Sequence, residues 1–199
     1  MGRMAYWMNV SLDLLIERSP DDHVAIGETG RWSRIDEQLH REFNERGRSM
    51  ALFVEGRVIY EMMETVWPSA TRDPSMPDYL REWAVIWTSA PKVLVSNTRT
   101  SADHNTRIVG GAGALDELAA IRDETDGTIA VGGATLATQL LRRGLLDELL
   151  LYTHPAVLGS GRPLFDEVTE PLECDPLEHA MFENGVALNR YQLRGRRTE

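Results

Sequence analysis

Residues 129–150 read IAVGGATLATQLLRRGLLDELL, and this stretch carries the strongest structural pattern in the chain. A short apolar run, Ile129–Val131, breaks at Gly132-Gly133 and passes into apolar residues at helical spacing that stop at Gly144. The pattern predicts a strand, a glycine turn and a helix. Such a turn brings bare backbone N–H groups and the positive end of a helix to one point, where a phosphate or pyrophosphate binds without a basic side chain. A turn that serves only the chain path is the alternative interpretation.

The composition limits the classes of protein that the sequence fits. With 199 residues, 42% hydrophobic and 26% charged, the chain is expected to form one globular domain over residues 1–199. The net charge of −10 argues against nucleic-acid binding, because a surface that follows phosphates needs clustered Lys and Arg. No apolar run has membrane-spanning length and the N-terminus lacks the order of a signal peptide. We therefore expect a cytoplasmic protein with no membrane partner.

Several common catalytic and structural motifs are missing from the sequence. The one cysteine, Cys174, excludes an internal disulfide and is expected to be a packing residue. The five histidines stand far apart without ligand spacing, so no metal site is predicted. The absence of Gly-x-Ser-x-Gly and Walker-type motifs removes the usual hydrolase and kinase interpretations. Of the 21 basic residues only Lys92 is a lysine, which we interpret as a composition bias.

Strands and helices alternate through most of the chain, and two strands follow each other at its end. The predicted strands are Ala5–Leu12, Ala51–Val54, Lys92–Ser96, Glu148–Thr153 and a hairpin of Leu177–Phe182 and Val186–Leu193. The predicted helices run from Ser33 or Asp36 to Gly47, from Gly56, from Asp78 to Ser89 and from Ala114 to Glu124, with loops at Ser19–Gly30, Pro68–Pro77 and Pro155–Phe165. This order predicts a three-layer α/β/α fold with a mostly parallel central sheet and an antiparallel C-terminal hairpin.

Polar residues follow two of these strands. Strand alternation places Asn9, Ser11 and Asp13 on one side of the end of the first strand, which suggests a ligand site; a turn with Asx-type hydrogen bonds is the alternative. After the second strand, Gly56-Arg57 opens a helix. The Arg57 guanidinium suits a phosphate as a planar fork, or it forms a surface salt bridge.

A second glycine pair, Gly110-Gly111, also precedes a helix. The run Val109-Gly110-Gly111-Ala112-Gly113 imitates a dinucleotide fingerprint, but the third glycine would fall at Asp116. We therefore interpret this turn as unrelated to ligand binding.

The motifs that carry a family resemblance run in one order from about Ala5 to Leu193. They are Asn9-Val10-Ser11-Leu12-Asp13, Trp32 with Leu39-His40-Arg41-Glu42-Phe43-Asn44, Gly56-Arg57-x-x-Tyr60-Glu61, Lys92-Val93-Leu94-Val95-Ser96-Asn97-Thr98, Val131-Gly132-Gly133-Ala134 with Gly144-Leu145-Leu146-Asp147-Glu148, and Pro155-x-Val157-Leu158-Gly159-x-Gly161-x-Pro163-Leu164-Phe165. The series resembles the reductase (RibD C-terminal) domain of bacterial riboflavin biosynthesis and the stand-alone bacterial proteins related to it and to dihydrofolate reductase.

The resemblance implies a dihydrofolate reductase-like fold and reduction of a small molecule by NADPH, with NADH as the alternative cofactor. The cofactor residues that it implies are Gly56, Arg57, Val58, Ser96, Asn97, Thr98 and Arg99 for the adenosine and its phosphates, and Val131, Gly132, Gly133, Ala134, Thr135 and Leu136 for the pyrophosphate. The first glycine pair often carries a cis peptide in this family. The implied substrate residues are Asn9, Ser11, Trp32, Tyr60 and Phe165, and the candidates for proton transfer are Asp13 first, then Glu37 and Glu61.

The chain departs from the family pattern at three positions. Leu14 stands where the riboflavin branch has glycine, and Val58 and Asn97 stand where relatives often carry basic or hydroxyl groups for the 2′-phosphate. We expect no zinc deaminase segment before this domain, and therefore do not expect the bifunctional riboflavin enzyme.

We rank a reductase of a heterocyclic or carbonyl substrate of the pyrimidine or pterin type first. A true dihydrofolate or 5-amino-6-ribosylaminouracil phosphate reductase comes second, and a nucleotide-binding module without turnover stays open. Relatives are often dimers, so a homodimer is possible.

Overall fold

The computed structural model describes residues 1–18, 32–168 and 170–194, so the loop expected at Ser19–Gly30 lies outside the described residues. The strands are β1 (Arg3–Val10), β2 (Leu15–Glu17), β3 (Met50–Gly56), β4 (Lys92–Val95), β5 (Thr106–Val109), β6 (Thr128–Gly132), β7 (Glu148–Thr153), β8 (Arg162–Pro163), β9 (Cys174–Met181) and β10 (Ala187–Leu193). The helices are α1 (Glu37–Ser49), α2 (Arg57–Ala70), α3 (Asp78–Ser89), α4 (Ala114–Glu124) and α5 (Ala134–Arg142).

An eight-stranded sheet forms the middle layer, in the order β5-β4-β3-β6-β1-β7-β10-β9. The strands from β5 to β7 in this order are parallel, and β10 pairs antiparallel with both β7 and β9. The expected mostly parallel sheet with an antiparallel C-terminal hairpin is confirmed. A short antiparallel ladder of β2 and β8 lies beside it.

Apolar side chains cover both faces of the sheet. On one face, α1, α2 and α3 pack Leu39, Tyr60 and Trp83 against the strands. On the other face, α4 and α5 pack Leu118 and Leu140. The fold therefore has the three layers that the alternating pattern predicts. No helix among the described residues combines the length and the apolar character that a membrane span requires.

Helix α1 begins as predicted but continues past Gly47. The Asp36 side chain caps the helix by accepting from Leu39 N at 2.9 Å. The helix continues past Gly47 to Ser49. Gly47 lies where α3 crosses α1 closely. A Cβ added at Gly47 would lie 2.6 Å from Trp83 Cζ3. The glycine is therefore required by helix packing, and the expected helix end at this residue is wrong.

Other predicted boundaries also differ from the structure. Pro68 lies inside the last turn of α2, so the loop expected to begin there starts only after Ala70. Strand β5 was not among the predicted strands, and it follows directly after His104 and Asn105. His104 and Asn105 both have left-handed backbone conformations, with φ of 59° and 57°, and they lead directly into that strand.

A buried Glu–Trp–Lys arrangement lies beneath α3. Trp87 Nε1 donates to Glu55 Oε1 at 3.0 Å, and the Lys92 ammonium lies 4.7 Å from the centroid of the Trp87 ring. Lys92 Nζ donates to the carbonyl oxygens of Trp87 and Ala90 at the end of α3. Burial lowers the pKa of Lys92 to about 8, although the Glu55 carboxylate acts in the opposite direction.

Candidate active site

The predicted cofactor residues meet at the carboxyl edge of the sheet. Neighbouring strands β3 and β6 continue into helices on opposite faces, since α2 packs with α1 and α3 while α5 packs with α4. In open α/β sheets, ligands bind at the point where the helices diverge in this way. We call the space between the turns at Gly56 and at Gly132-Gly133 the central crevice, and the Gly132-Gly133 turn the central turn.

Backbone conformation makes glycine necessary at the central turn. Gly133 has φ of 106°, which L side chains rarely adopt, and its added Cβ would lie 3.9 Å from Gly56 Cα. The two turns therefore lie close together, with the Ile59 side chain of α2 also in contact at 3.6 Å from this position. Every peptide bond among the described residues is trans. The cis peptide that the resemblance implied at the first glycine pair is absent.

Two helix N-termini at the central crevice suit an anion. Helices α5 and α2 start at Gly133 and Gly56, and neither has a side-chain cap or an acidic residue in its first turn. The N–H groups of a first turn have no partner within the helix and carry the positive end of its dipole. Ala134 and Leu136 bury their side chains. The first turn of α5 therefore presents mainly backbone to the crevice.

One side-chain network lies over the first turn of α5. Thr135 Oγ1 donates to Asp166 Oδ2 and accepts from Arg162 Nη2, each at 2.7 Å. Arg162 also pairs with Asp166 at 3.3 Å. This network fastens the segment after β8 to α5, and the Arg162 charge offsets that of Asp166.

Arginines beside Gly56 are paired with acids of α2. Arg57 Nη1 donates to Glu61 Oε2 at 2.7 Å, and Arg99 makes two bonds to Glu64 at 3.0 and 3.2 Å. Val58 is exposed next to them. Of the two predicted alternatives for Arg57, the structure has the salt bridge. An exposed ion pair of this kind contributes little to stability and opens easily, so Arg57 could still bind a phosphate as a fork.

The Ser96–Arg99 segment forms a compact turn. Ser96 Oγ accepts from the N–H groups of Thr98 and Arg99 at 3.2 and 3.1 Å. Asn97 Oδ1 accepts from Gly111 N at 2.7 Å, which joins this segment to the Gly110-Gly111 turn after β5. We call the Gly110-Gly111 turn the edge turn. The Asn97 side chain thus supports a neighbouring loop.

A histidine that the sequence analysis passed over lies at the end of β7. The His154 side chain is fully buried, and its Nε2 lies 2.9 Å from Asn9 Oδ1. Arg34 N donates to its Nδ1 at 2.8 Å, and the ring of Trp32 contacts it edge-on at 5.5 Å between centroids. Burial, with a smaller effect from Arg34, lowers the pKa of His154 to about 4. The parallel pairing of β1 with β7 brings this group together.

Asp13 connects the end of β1 to the loop after β7. Its carboxylate accepts from Ser11 Oγ at 2.6 Å, from Leu158 N at 3.1 Å and from Gly159 N at 2.8 Å. These hydrogen bonds, with Ser11 the largest contributor, lower the pKa of Asp13 to about 2. Leu14, at the position of the family glycine, has φ of 56°. A leucine there carries about 1 kcal/mol of backbone strain.

The remaining predicted residues occupy different surroundings. Glu37 is exposed in the first turn of α1 and pairs with Arg41 at 2.7 Å. Tyr60 is fully buried and its hydroxyl donates to Asp103 O at 3.0 Å, so that group already has a partner. Phe165 packs against Tyr6 on the opposite face of the sheet from Trp7 and α1.

Glu55 is a second ionisable residue that the sequence analysis missed. It directly precedes Gly56 and is almost fully buried. Among the residues that the structure describes, its Oε2 and Ser33 Oγ are the fully buried side-chain oxygens without a hydrogen-bond partner. Burial raises the pKa of Glu55 to about 7, while the bond from Trp87 and the charge of Lys92 oppose the rise.

A cavity of about 780 Å³ lies away from these residues, at the amino edge of the sheet. Ala51, Lys92 and Thr106 are among its lining residues. None of the predicted cofactor or substrate residues lines it. The predicted residues lie instead at the carboxyl edge, which is the candidate site.

Sequence comparison decides the family. The profile of the RibD C-terminal domain matches residues 8–188. The chain belongs to the RibD C-terminal domain family. This RibD C-terminal domain is 32% identical over 120 residues to the uncharacterized protein YyaP of Bacillus subtilis, an alignment that covers 60% of this chain and 63% of YyaP. The chain thus spans less than two thirds of the length of this curated relative.

Solved structures confirm the fold of this RibD C-terminal domain. A Shewanella protein assigned to riboflavin biosynthesis superposes with a TM-score of 0.64 at 20% identity, covering 98% of this chain and 99% of its own. Dihydrofolate reductase from Enterococcus faecalis, solved with NADP(H), superposes with a TM-score of 0.59 at 14% identity, covering 98% and 97%. At these identities the likeness establishes the dihydrofolate reductase-like fold.

Proposed function

We propose that this RibD C-terminal domain is an NAD(P)H-dependent reductase that transfers a hydride to a small heterocyclic or carbonyl substrate of the pyrimidine type. The observation that carries the proposal is the central crevice, where two helix N-termini without acidic first turns or side-chain caps face each other across glycine backbone. A dinucleotide diphosphate matches this arrangement in charge and in the space it needs. Family membership supports the same reaction class.

The residues of the crevice fit such a cofactor. The backbone of Gly133 to Leu136 would hold the diphosphate, and Arg57 with Arg99 would hold a 2′-phosphate by exchanging their carboxylate partners for it. When bound, the nicotinamide supplies the hydride. The protein's own contribution is alignment and exclusion of water, which lower the barrier for a transfer between two held reactants.

The wall formed by Asn9, Trp32 and His154 would hold the substrate. Asn9 and Trp7 lie on the same face of β1, the face covered by α1, and the N-terminus of α1 carries Glu37. Asp13 is ionised at neutral pH and accepts three hydrogen bonds, so we assign it an orienting role for the loop after β7. Glu37 and Glu61 stay as the candidates for delivering a proton.

Cofactor binding tests the proposal directly. NADPH and NADH are titrated against the protein while the fluorescence of its five tryptophans is followed. We expect saturable quenching and oxidation of the cofactor at 340 nm when pyrimidine or pterin heterocycles, dihydrofolate among them, are added. Binding without oxidation by any of them would favour a nucleotide-binding module. No binding of either cofactor at millimolar concentration would refute the reductase.

A further inference from the structure

We propose that His154 is a positioning residue that locks the Asn9 side chain so that its amino group faces the substrate. The site therefore selects a ligand with a hydrogen-bond acceptor, such as a ring carbonyl, at this point. The inference rests on the proposed function, because it names the chemistry that the substrate wall recognises. The supporting observations are one buried ring, two hydrogen bonds and the place of Asn9 at the end of β1.

The proton on His154 can be assigned from its surroundings. Arg34 N–H is a backbone donor, so the Nδ1 atom that it contacts at 2.8 Å must be an acceptor without a hydrogen. The ring is therefore neutral and carries its proton on Nε2. Burial, which lowers the pKa of His154 to about 4, keeps this form throughout the neutral range.

The assigned proton determines the orientation of the Asn9 amide. Nε2–H of His154 donates, so the Asn9 atom at 2.9 Å is the carbonyl oxygen Oδ1, and the amino group Nδ2 points away from the ring. Asn9 is half-buried and lies at the end of β1, at the carboxyl edge of the sheet. We therefore place this amino group where it can donate to a ligand.

The segment that holds His154 is itself fixed. Arg34 O accepts from Asn184 Nδ2 at 2.8 Å, and Arg34 Nη1 donates to Asn184 O at 3.2 Å. Asn184 lies in the turn between β9 and β10. The Asn9 amide, which would otherwise flip at little cost, is thus held in one orientation with support from the turn between β9 and β10, which lies beside the end of β7.

The tautomer is the first test and requires no ligand. Nitrogen-15 NMR of the free protein distinguishes a protonated ring nitrogen from an unprotonated one. We expect His154 to carry its proton on Nε2 and to stay neutral at pH 6. A proton on Nδ1, or a charged ring at that pH, would overturn the inference.

Ligand preference is the second test. The probes are uracil, whose exocyclic groups are carbonyl acceptors, and 2,4-diaminopyrimidine, whose exocyclic groups are amino donors. Calorimetry is carried out on the free and the NADP⁺-saturated protein. We expect at least about tenfold tighter binding of uracil by the wild type. Asn9→Asp replaces the amino group by an acceptor and should reverse the preference.

Two substitutions of His154 separate positioning from packing. His154→Gln can still accept from Arg34 N–H and donate to Asn9, so it should keep the uracil preference. His154→Leu loses both bonds and should reduce the preference to within about threefold, because the Asn9 amide becomes free to flip. A folded His154→Leu protein with the wild-type preference would refute the inference. If this variant does not fold, His154→Gln and Asn9→Asp decide.

Failure of this inference can be told apart from failure of the proposed function. NADP⁺ binding by the wild type reports on the central crevice alone. The His154 tautomer and the uracil preference of the free protein report on the group of Asn9, Trp32 and His154. Absence of NADP⁺ binding with an intact uracil preference would reject the reductase and keep the acceptor-selecting site. If neither heterocycle binds at millimolar concentration, the acceptor-selecting site is rejected.

Discussion

Two Gly-Gly pairs follow parallel strands at the same edge of the sheet, yet their surroundings differ. The central turn, Gly132-Gly133, lies between β6 and α5 beside the Gly56 turn. The edge turn, Gly110-Gly111, follows the outermost strand β5, and an added Cβ at Gly111 would meet nothing within 4 Å. The central turn lies beside a second helix N-terminus, whereas at the edge turn Gly110 packs against Ser96 O and Gly111 is open.

The helices that follow the two turns also differ in charge. Helix α4 has Asp116 and Glu117 in its first turn, where they already interact with the positive end of the helix dipole, while α5 has no acid there. Among the described residues, the only acid at the first turn of α5, Asp166, comes from another segment and is paired with Arg162. We therefore expect an anion to bind at the central turn and not at the edge turn.

The largest expected effect is the loss of NADPH affinity when a glycine of the central turn, and not of the edge turn, is replaced by alanine. Gly133→Ala should weaken NADPH binding at least about 100-fold, because a positive-φ alanine costs about 1 to 3 kcal/mol and should move the N–H groups that we propose hold the diphosphate. Gly111, with φ of 77°, provides the matched control. Gly111→Ala should lower stability but change the NADPH dissociation constant less than about threefold. Equal losses of affinity for the two variants would abolish the distinction between the turns.

The carboxyl group behind the central turn gives the next effect. The pKa of Glu55 is raised by burial from 4.5 to about 7, so the folded state binds the proton more tightly than the unfolded state does. The contribution of Glu55 to wild-type stability should therefore fall as the pH rises from about 4.5 to 7 and stay lower above it. Glu55→Gln should be more stable than the wild type by about 2 to 3 kcal/mol at pH 8 and nearly equal at pH 4.

Urea denaturation at several pH values measures this difference. Glu45 is an exposed glutamate of α1, so Glu45→Gln serves as the control and should show no such pH dependence. A Glu55→Gln protein that is no more stable at pH 8 than at pH 4, relative to the wild type, would contradict the expectation.

The arginine at the entrance to the central crevice should have a smaller effect, and a selective one. Arg57→Ala should weaken NADPH binding by about tenfold and NADH binding less than about twofold, since only NADPH carries the 2′-phosphate. Arg48, ion-paired with Glu82 near the C-terminus of α1, gives a matched control. Equal losses for both cofactors would mean that Arg57 does not contact the 2′-phosphate.

The smallest effect concerns the loop that Asp13 fastens beside the substrate wall. Asp13→Ala should raise the hydrogen-exchange rates of the Leu158 and Gly159 amides by about three- to tenfold, because these amides lose their acceptors. Amides of β7 should keep their protection. Since the pKa of Asp13 is about 2, the protection of these wild-type amides relative to their intrinsic exchange rates should be the same at pH 4 as at neutral pH. Unchanged exchange rates in the variant would show that the carboxylate does not hold the loop.

Local sequence patterns were sufficient to predict the central turn and the complete bounds of several helices and strands. The predicted bounds of α3, α4 and β7 agree with the structure, because each has an uninterrupted apolar period and a clear polar or glycine boundary. β5 was missed since it has only four residues and follows two left-handed residues that no local pattern signals. Gly47 was misinterpreted because its contact with Trp83 exists only after α1 and α3 pack.

The group of Asn9, Trp32 and His154 shows the limit of prediction from the sequence. His154 and Asn9 are 145 residues apart, and their contact depends on the register of β1 against β7. As a solitary histidine, His154 gave no metal or nucleophile pattern. Glu55 was overlooked because the apolar run was expected to end at Val54, and nothing local distinguishes a buried carboxylate from an exposed one. For His154 the sequence did offer one signal, since it is a polar residue at the end of a parallel strand.

The only lysine of the chain, Lys92, can report on unfolding by its chemical reactivity. Lys92 is 2% exposed and its ammonium is held by the end of α3. An amine-acylating reagent can modify this side chain only after α3 has separated from the sheet. Mass spectrometry of the peptide that contains it would therefore time that separation without an introduced probe.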